Sequence, residues 1–115
     1  GLITGNWVGD WYSYTRGETY KMELELTSVV PLRGTLYRSP KIQGKPRWHF
    51  ADVEGEEKDG KVLLEFIGRD GYKWNFELSM KDGVLEGDGK TWGQGQFGHG
   101  WFSSNLRFVK VDAMP

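Results

Sequence analysis

Three of the four Asp-Gly pairs in this chain constrain its fold more than any other feature of its sequence. They are Asp59-Gly60, Asp70-Gly71 and Asp82-Gly83. Each pair lies between two runs in which apolar and polar residues alternate. Aspartate followed by glycine readily adopts the two positive φ angles of a type I′ turn, which is the tightest connection between antiparallel strands. The three pairs therefore predict consecutive β-hairpins.

Alternation of residue types predicts the strands on either side of these turns. Residues 18–27 and 72–81 follow a period of two, which is typical of a strand with one buried face. No segment shows the 3.6-residue period of a long helix. Eight strands are predicted in this way, over residues 6–14, 18–27, 33–39, 47–55, 61–69, 72–81, 84–92 and 101–111.

The order of these strands predicts the fold class. Short turns join each strand to the next, as in an antiparallel up-and-down meander. Closing such a meander into a barrel removes the exposed edges that would invite aggregation. A chain of 115 residues has the length of one domain. We therefore predict a single all-β barrel over residues 1–115, with a flat β-sandwich as the alternative architecture.

Charge and cysteine content argue against several classes of protein. The net charge is −1, so the sequence gives no global electrostatic basis for binding nucleic acid. Cysteine is absent, which excludes disulfides and thiol chemistry. No apolar run has the length of a transmembrane helix or the character of a signal peptide. We therefore expect a soluble protein with no nucleic-acid or membrane partner, and the cytoplasm is the favoured compartment.

Two segments have an uneven charge distribution. Residues 26–51 contain five basic side chains and no acidic one, whereas residues 52–59 are strongly acidic. We interpret them as a solvated surface on which neighbouring strands pair opposite charges. A basic patch for an anionic ligand is the alternative.

Residues 91–106 contain no charged side chain but include Trp92, Phe97, Trp101 and Phe102 among four glycines. On a rim loop, such a segment would close over a ligand or meet another subunit. The alternative is that its aromatic rings plug one end of the barrel.

Alternation directs an unusual number of aromatic side chains towards the barrel interior. Aromatic walls with a few polar groups are typical of small-molecule sites. The predicted ligand-binding residues are Trp11, Ser13, Tyr20, Tyr37, Trp48, Trp74, Phe76, Phe102 and Ser104. The alternative is a solid core in which the rings simply fill the volume.

The motif Gly5-Asn6-Trp7 and the basic residue Arg107 in the last strand resemble the calycin superfamily, which comprises lipocalins, fatty-acid-binding proteins and avidins. This resemblance implies a closed barrel that holds a small ligand. It also implies that Trp7 seals one barrel end and that Arg107 packs across its indole ring.

Two branches of resemblance imply particular ligands. The avidins are similar in length, and Ser13 matches their ureido-binding serine. Gly9 and Leu106 replace the expected asparagine and acidic residue, so biotin is not the expected ligand. Residues 5–11 are also similar to the opening of haem-binding barrels related to nitrobindin. Those barrels need an axial histidine, and in this chain His49 or His99 would have to serve as that ligand.

The catalytic inventory of the sequence is small. Two histidines cannot form a three-histidine zinc site, and no nucleophile elbow or phosphate-binding loop is present. We expect His49 to point outward and Asp52 to face water. A buried Asp52, Asp10 or His49 paired with another titratable group would instead indicate an enzyme. We therefore expect no catalytic residue, no metal and no cofactor.

These observations favour a non-catalytic protein that binds a small apolar or aromatic molecule inside its barrel. The alternative is a solid barrel that acts as a protein-interaction module, with a homo-oligomer formed through residues 91–106.

Overall fold

A computed structural model describes residues 3–96 and 98–112 as a closed barrel of eight antiparallel strands in sequential order, with β8 paired to β1. The strands are β1 (Gly5–Ser13), β2 (Glu18–Val29), β3 (Leu32–Arg38), β4 (Trp48–Lys58), β5 (Lys61–Ile67), β6 (Lys73–Lys81), β7 (Val84–Gly95) and β8 (Gly98–Val111). The predicted meander and its closure are confirmed. Within the described residues no helix occurs, and hence none that is long and apolar enough to cross a membrane.

Two of the three Asp-Gly pairs form the predicted turns. Asp59 and Asp82 have φ angles of 53° and 52°, and the glycine after each is also positive. The prediction for Asp70 is wrong, because only Gly71 has a positive φ there. Residues 68–72 instead form a longer connection, in which the amide of Gly71 donates to the carbonyl of Gly68 over 3.0 Å. Hairpin loops built from a type I turn followed by a left-handed residue are the next most common after the two-residue turns.

A bulge in β4 changes which side chains face the interior. The register with β3 shifts between Leu36 and Tyr37, and as a result the consecutive residues Phe50 and Ala51 are both buried. The alternation then resumes with the opposite parity, so Asp52 faces outward. Its side chain is 86 % exposed and accepts a hydrogen bond from His49 over 2.8 Å. Both residues face water as expected.

Residues 91–95 and 98–106 belong to strands rather than to a rim loop. β7 continues to Gly95 and β8 begins at Gly98, so the two strands form one long hairpin. Within it Thr91 is buried, whereas Trp92 and Trp101 are paired on the outer face. The prediction of a rim loop is therefore wrong for these residues, and Phe97 lies outside the described residues.

The barrel has two different ends. The end with the β2–β3, β4–β5 and β6–β7 turns is packed solid, and we call it the closed end. Its core consists of fully buried side chains that include Trp7, Leu26, Leu32, Leu85 and Phe108. The other end, with the β1–β2, β3–β4, β5–β6 and β7–β8 connections, is the open end. The interior is therefore neither solid throughout nor hollow throughout.

Trp7 seals the closed end, but its cationic partner is not Arg107. The indole Nε1 of Trp7 donates to the carbonyl of Ile3 over 2.9 Å, and the side chain is fully buried. The Nζ atom of Lys110 lies 5.7 Å from the ring centroid. Arg107 points outward instead and pairs with Glu86 at 3.5 Å. Strand parity explains the difference, because Arg107 follows the inward-facing Leu106.

Trp7→Ala is expected to lower the free energy of unfolding by about 3–5 kcal/mol, because it leaves a cavity where a large buried ring was packed. Trp101 is 70 % exposed, so Trp101→Ala should change that free energy by only about 0.5 kcal/mol. Urea denaturation followed by far-UV circular dichroism measures both. A loss below about 1 kcal/mol for Trp7→Ala would contradict its role at the closed end.

Candidate functional site

A cavity of about 490 Å³ occupies the open end of the barrel and opens to solvent. Trp11 of β1 and Trp74 of β6 line it, with Phe50 of β4 and Phe102 of β8. These side chains come from strands distributed around the barrel, and each points inward because strand residues alternate between the two faces. The cavity is thus a property of barrel closure rather than of any single segment.

The structure brings together seven of the nine predicted ligand-binding residues at this cavity. They are Trp11, Ser13, Tyr20, Trp48, Trp74, Phe102 and Ser104. Phe76 is fully buried beneath Trp11, with their ring centroids 5.2 Å apart, and does not line the cavity. Tyr37 is also excluded, because it lies on the outer face of β3, where the guanidinium of Arg47 sits 3.7 Å from its ring centroid. Its neighbour Leu36 takes the inward position.

Trp11 forms the floor of the cavity. Its ring meets Trp74 at 4.8 Å and Phe50 at 5.5 Å between centroids, and both pairs are nearly perpendicular. Trp11 also contacts Phe76 and Phe66, which belong to the buried core and do not line the cavity. Edge-to-face pairs of this kind are favourable because the positive edge of one ring meets the negative face of another. The floor is therefore held in one orientation.

Asp70, which the sequence indicated only as a turn residue, supports the aromatic wall. One carboxylate oxygen accepts the indole N–H of Trp74 over 2.9 Å, and the other accepts the amide of Tyr72 over 3.1 Å. Burial at the cavity raises the pKa of Asp70, and these two hydrogen bonds only partly oppose that rise. The signal in the sequence was the four-residue spacing from Asp70 to Trp74 across a turn, which cannot be distinguished from an ordinary Asp-Gly turn.

Arg38 is a second cavity residue that the sequence analysis did not single out. Its guanidinium carbon lies 4.3 Å from the ring centroid of Tyr20 and 5.8 Å from that of Trp48. The side chain is half-buried, and the guanidinium forms no hydrogen bond or ion pair with any described residue. The sequence did carry a signal for this position: Arg38 lies two residues after the inward-facing Leu36, so it is expected to face the interior as well. Arg38 was overlooked because residues 26–51 were interpreted as a solvated surface.

Tyr20 is held by a neighbouring carboxylate at the cavity mouth. Its hydroxyl donates to Glu18 over 2.7 Å, and Glu18 also pairs with Arg16 at 3.4 Å. The hydrogen bond from Tyr20, followed by the charge of Arg16, lowers the pKa of Glu18. Desolvation, followed by the bond to Glu18, raises the pKa of Tyr20. The negative charge of Glu18 is thus engaged by these two neighbours.

Ser104 places a hydroxyl group in the apolar wall. The side chain is 1 % exposed, and its Oγ atom has no hydrogen-bond partner among the described residues. A buried hydroxyl without a partner is unfavourable by about 1–3 kcal/mol, so such groups normally find one. Ser13, the cross-strand neighbour of Ser104, accepts a hydrogen bond from the amide of Arg16 over 3.2 Å. Ser104 therefore offers the cavity an unused donor and acceptor.

The described part of the chain contains no group of three His, Cys, Asp or Glu side chains that could hold a metal ion. Among the described residues, His49 contacts Asp52 on the outer surface of the barrel, away from the cavity. No protein-family model and no curated protein matches the sequence. The fold and the cavity define the chain as a small closed β-barrel with an aromatic-lined site at one end.

The ionisation of Asp70 should be visible at Trp74. We expect the indole N–H resonance of Trp74 to titrate with a midpoint above 3.8, the ordinary value for aspartate, because burial raises the pKa of Asp70. Since the folded state binds this proton more tightly than the unfolded state, the contribution of Asp70 to the free energy of unfolding should fall as pH rises through the raised pKa. Two-dimensional NMR between acid and neutral pH measures the midpoint.

The control for this titration is Asp70→Asn, which removes the ionisable group. The Trp74 resonance of this variant should no longer follow the same titration. A midpoint at or below 3.8 in the unsubstituted protein would show that the two hydrogen bonds outweigh burial.

Proposed function

We propose that this protein is a non-catalytic binding protein that holds a small apolar or aromatic molecule in the open end of its barrel. The observation that carries the proposal is the aromatic-lined cavity of about 490 Å³ above the packed floor of Trp11. Small-molecule sites commonly have volumes of about 300–1,000 Å³ and apolar walls with a few polar groups. Ser104 and Arg38 are among the polar groups that line this cavity.

The rigidity of the wall also supports binding. Trp11 is fixed by perpendicular ring contacts, and Trp74 is fixed by its hydrogen bond to Asp70. Side chains that are already ordered lose less conformational entropy when a ligand binds. A molecule that enters the cavity would therefore gain contact with several rings at a small ordering cost.

A neutral fluorescent aromatic amine, N-phenylnaphthylamine, tests the proposal. We expect its emission to rise and shift to shorter wavelength on addition of the protein, with saturation at one equivalent. Ser104→Leu should weaken this binding by about tenfold or more, because the larger side chain occupies the cavity. Ser103→Leu is the matched control, since Ser103 is the neighbouring residue on the exposed face of β8. We expect its affinity to be unchanged.

Thermal unfolding of both serine variants tests whether they remain folded. If the unsubstituted protein does not enhance the emission, or if Ser103→Leu weakens binding as much as Ser104→Leu, the proposed site is wrong.

A specific observation also favours a second candidate, an interaction module in which two copies of the chain associate. Trp92 and Trp101 are 50 % and 70 % exposed, and their rings lie 4.8 Å apart on the outer face of the β7–β8 hairpin. Tyr12 of the adjacent β1 and Tyr14, which follows the end of that strand, are also exposed and contact each other. Exposed aromatic residues in a segment that lacks charged side chains are typical of protein interfaces.

Native mass spectrometry tests this second candidate. It predicts a dimer that the double substitution Trp92→Ser, Trp101→Ser converts to a monomer. A monomer at micromolar concentration before substitution would contradict the module. A small adduct retained by that monomer would instead support the cavity.

A further inference from the structure

We propose that the ligand of the open-end cavity is an aromatic carboxylate, with its ring against the floor of Trp11 and its carboxylate paired with Arg38 at the cavity mouth. This inference rests on the proposed function and names the chemical class of the ligand. Its two parts correspond to two features of the site. One is the aromatic well, and the other is the oriented guanidinium of Arg38, which has no hydrogen-bond partner among the described residues.

The environment of Arg38 differs from that of the neighbouring Arg47. The guanidinium of Arg47 pairs with Glu23 at 3.4 Å and with Glu25 at 3.7 Å. Arg38 has no carboxylate partner among the described residues, although it is half-buried and lies over the ring of Tyr20. Stacking on aromatic faces fixes the plane of a guanidinium but leaves the N–H groups at its edge available. Arg38 is thus oriented before any anion arrives.

The remaining charges at the mouth favour an anion over a cation. Arg16 and Arg69 join Arg38 in lining the cavity, and Asp70 is its one acidic lining residue among the described residues. Both oxygens of Asp70 already accept hydrogen bonds within the wall, and burial raises its pKa. Glu18 near the mouth is engaged by Arg16 and Tyr20. Arg38 is therefore the charged group best placed to bind a ligand.

The guanidinium of Arg38 suits a carboxylate in both shape and charge. Its planar fork of N–H donors matches the two oxygens of a carboxylate in a bidentate pair. Arg38 also supplies one positive charge, which balances the single negative charge of a carboxylate, whereas Arg69, which also lines the cavity, is exposed to solvent. The apolar body of the ligand must then reach Trp11 and Phe102, whose rings favour an aromatic partner in an edge-to-face or offset arrangement.

Three naphthalene derivatives with the same ring position substituted test the charge preference by isothermal titration calorimetry on the full chain. They are naphthoate, the neutral acetylnaphthalene and the cationic naphthylmethylamine. Near neutral pH we expect naphthoate to bind about tenfold more tightly than acetylnaphthalene, in line with hydrogen bonds to charged groups. The ammonium compound should bind most weakly. Raising the salt from about 0.02 M to about 0.5 M should weaken naphthoate binding alone.

Arg38→Met keeps an apolar stem and removes the charge. We expect it to weaken naphthoate binding by about tenfold and to change acetylnaphthalene binding by less than about twofold. Arg33→Met is the matched control, because Arg33 is an exposed residue on the same strand and does not line the cavity. Arg38→Lys should give an intermediate affinity for naphthoate, since it keeps the charge but not the fork. Thermal unfolding verifies that each variant is folded.

The outcomes separate this inference from the proposed function. If naphthoate and acetylnaphthalene bind equally, or if Arg38→Met weakens both equally, the carboxylate assignment is wrong while the aromatic cavity stands. If the ammonium compound binds best, the carboxylate assignment is likewise overturned. If N-phenylnaphthylamine binds and none of the three derivatives does, the inference fails alone. If no aromatic compound binds, the proposed function fails together with it.

Discussion

The interior of this barrel depends on how Trp11 packs. Its ring is perpendicular to Phe50, Trp74 and Phe76, with centroid distances of 5.5, 4.8 and 5.2 Å. Each such pair contributes about 0.5–1.5 kcal/mol beyond its buried area. Rings held edge-to-face cannot collapse flat onto one another, so the space on the open side of Trp11 remains. The same contacts complete the packed core on the closed side.

Aromatic rings at the open end both form the wall and hold its charged groups. Tyr20 and Trp48 orient Arg38 through their faces, whereas the indole N–H of Trp74 orients Asp70 through a hydrogen bond. A long arginine side chain in solvent would lose conformational entropy on meeting an anion, and stacking removes part of that loss in advance. The mouth thus combines fixed charges with an apolar well, which is the basis of both the proposed function and the proposed ligand class.

Much of the fold could be predicted because turn and strand signals depend on neighbouring residues. The predictions were wrong where contacts between residues distant in sequence decide the structure. The Asp-Gly turns at Asp59 and Asp82 follow from φ preferences alone. Asp70 does not follow that pattern, because its φ is not positive. Its carboxylate accepts a hydrogen bond from Trp74. Parity predicted seven cavity residues, but the basic run 26–51 concealed Arg38. For residues 91–95 and 98–106, composition suggested a rim loop although backbone pairing makes them strands.

The sequence by itself determined the number of strands, their order and the face that most side chains take, because turn chemistry and a period of two act between near neighbours. The tertiary structure alone decided the bulge at Phe50 and Ala51, the placement of Lys110 rather than Arg107 over Trp7, and the end of the barrel that stays open. These features depend on register and on side-chain volumes summed around all eight strands. Neither quantity exists until β8 pairs with β1 and the barrel closes.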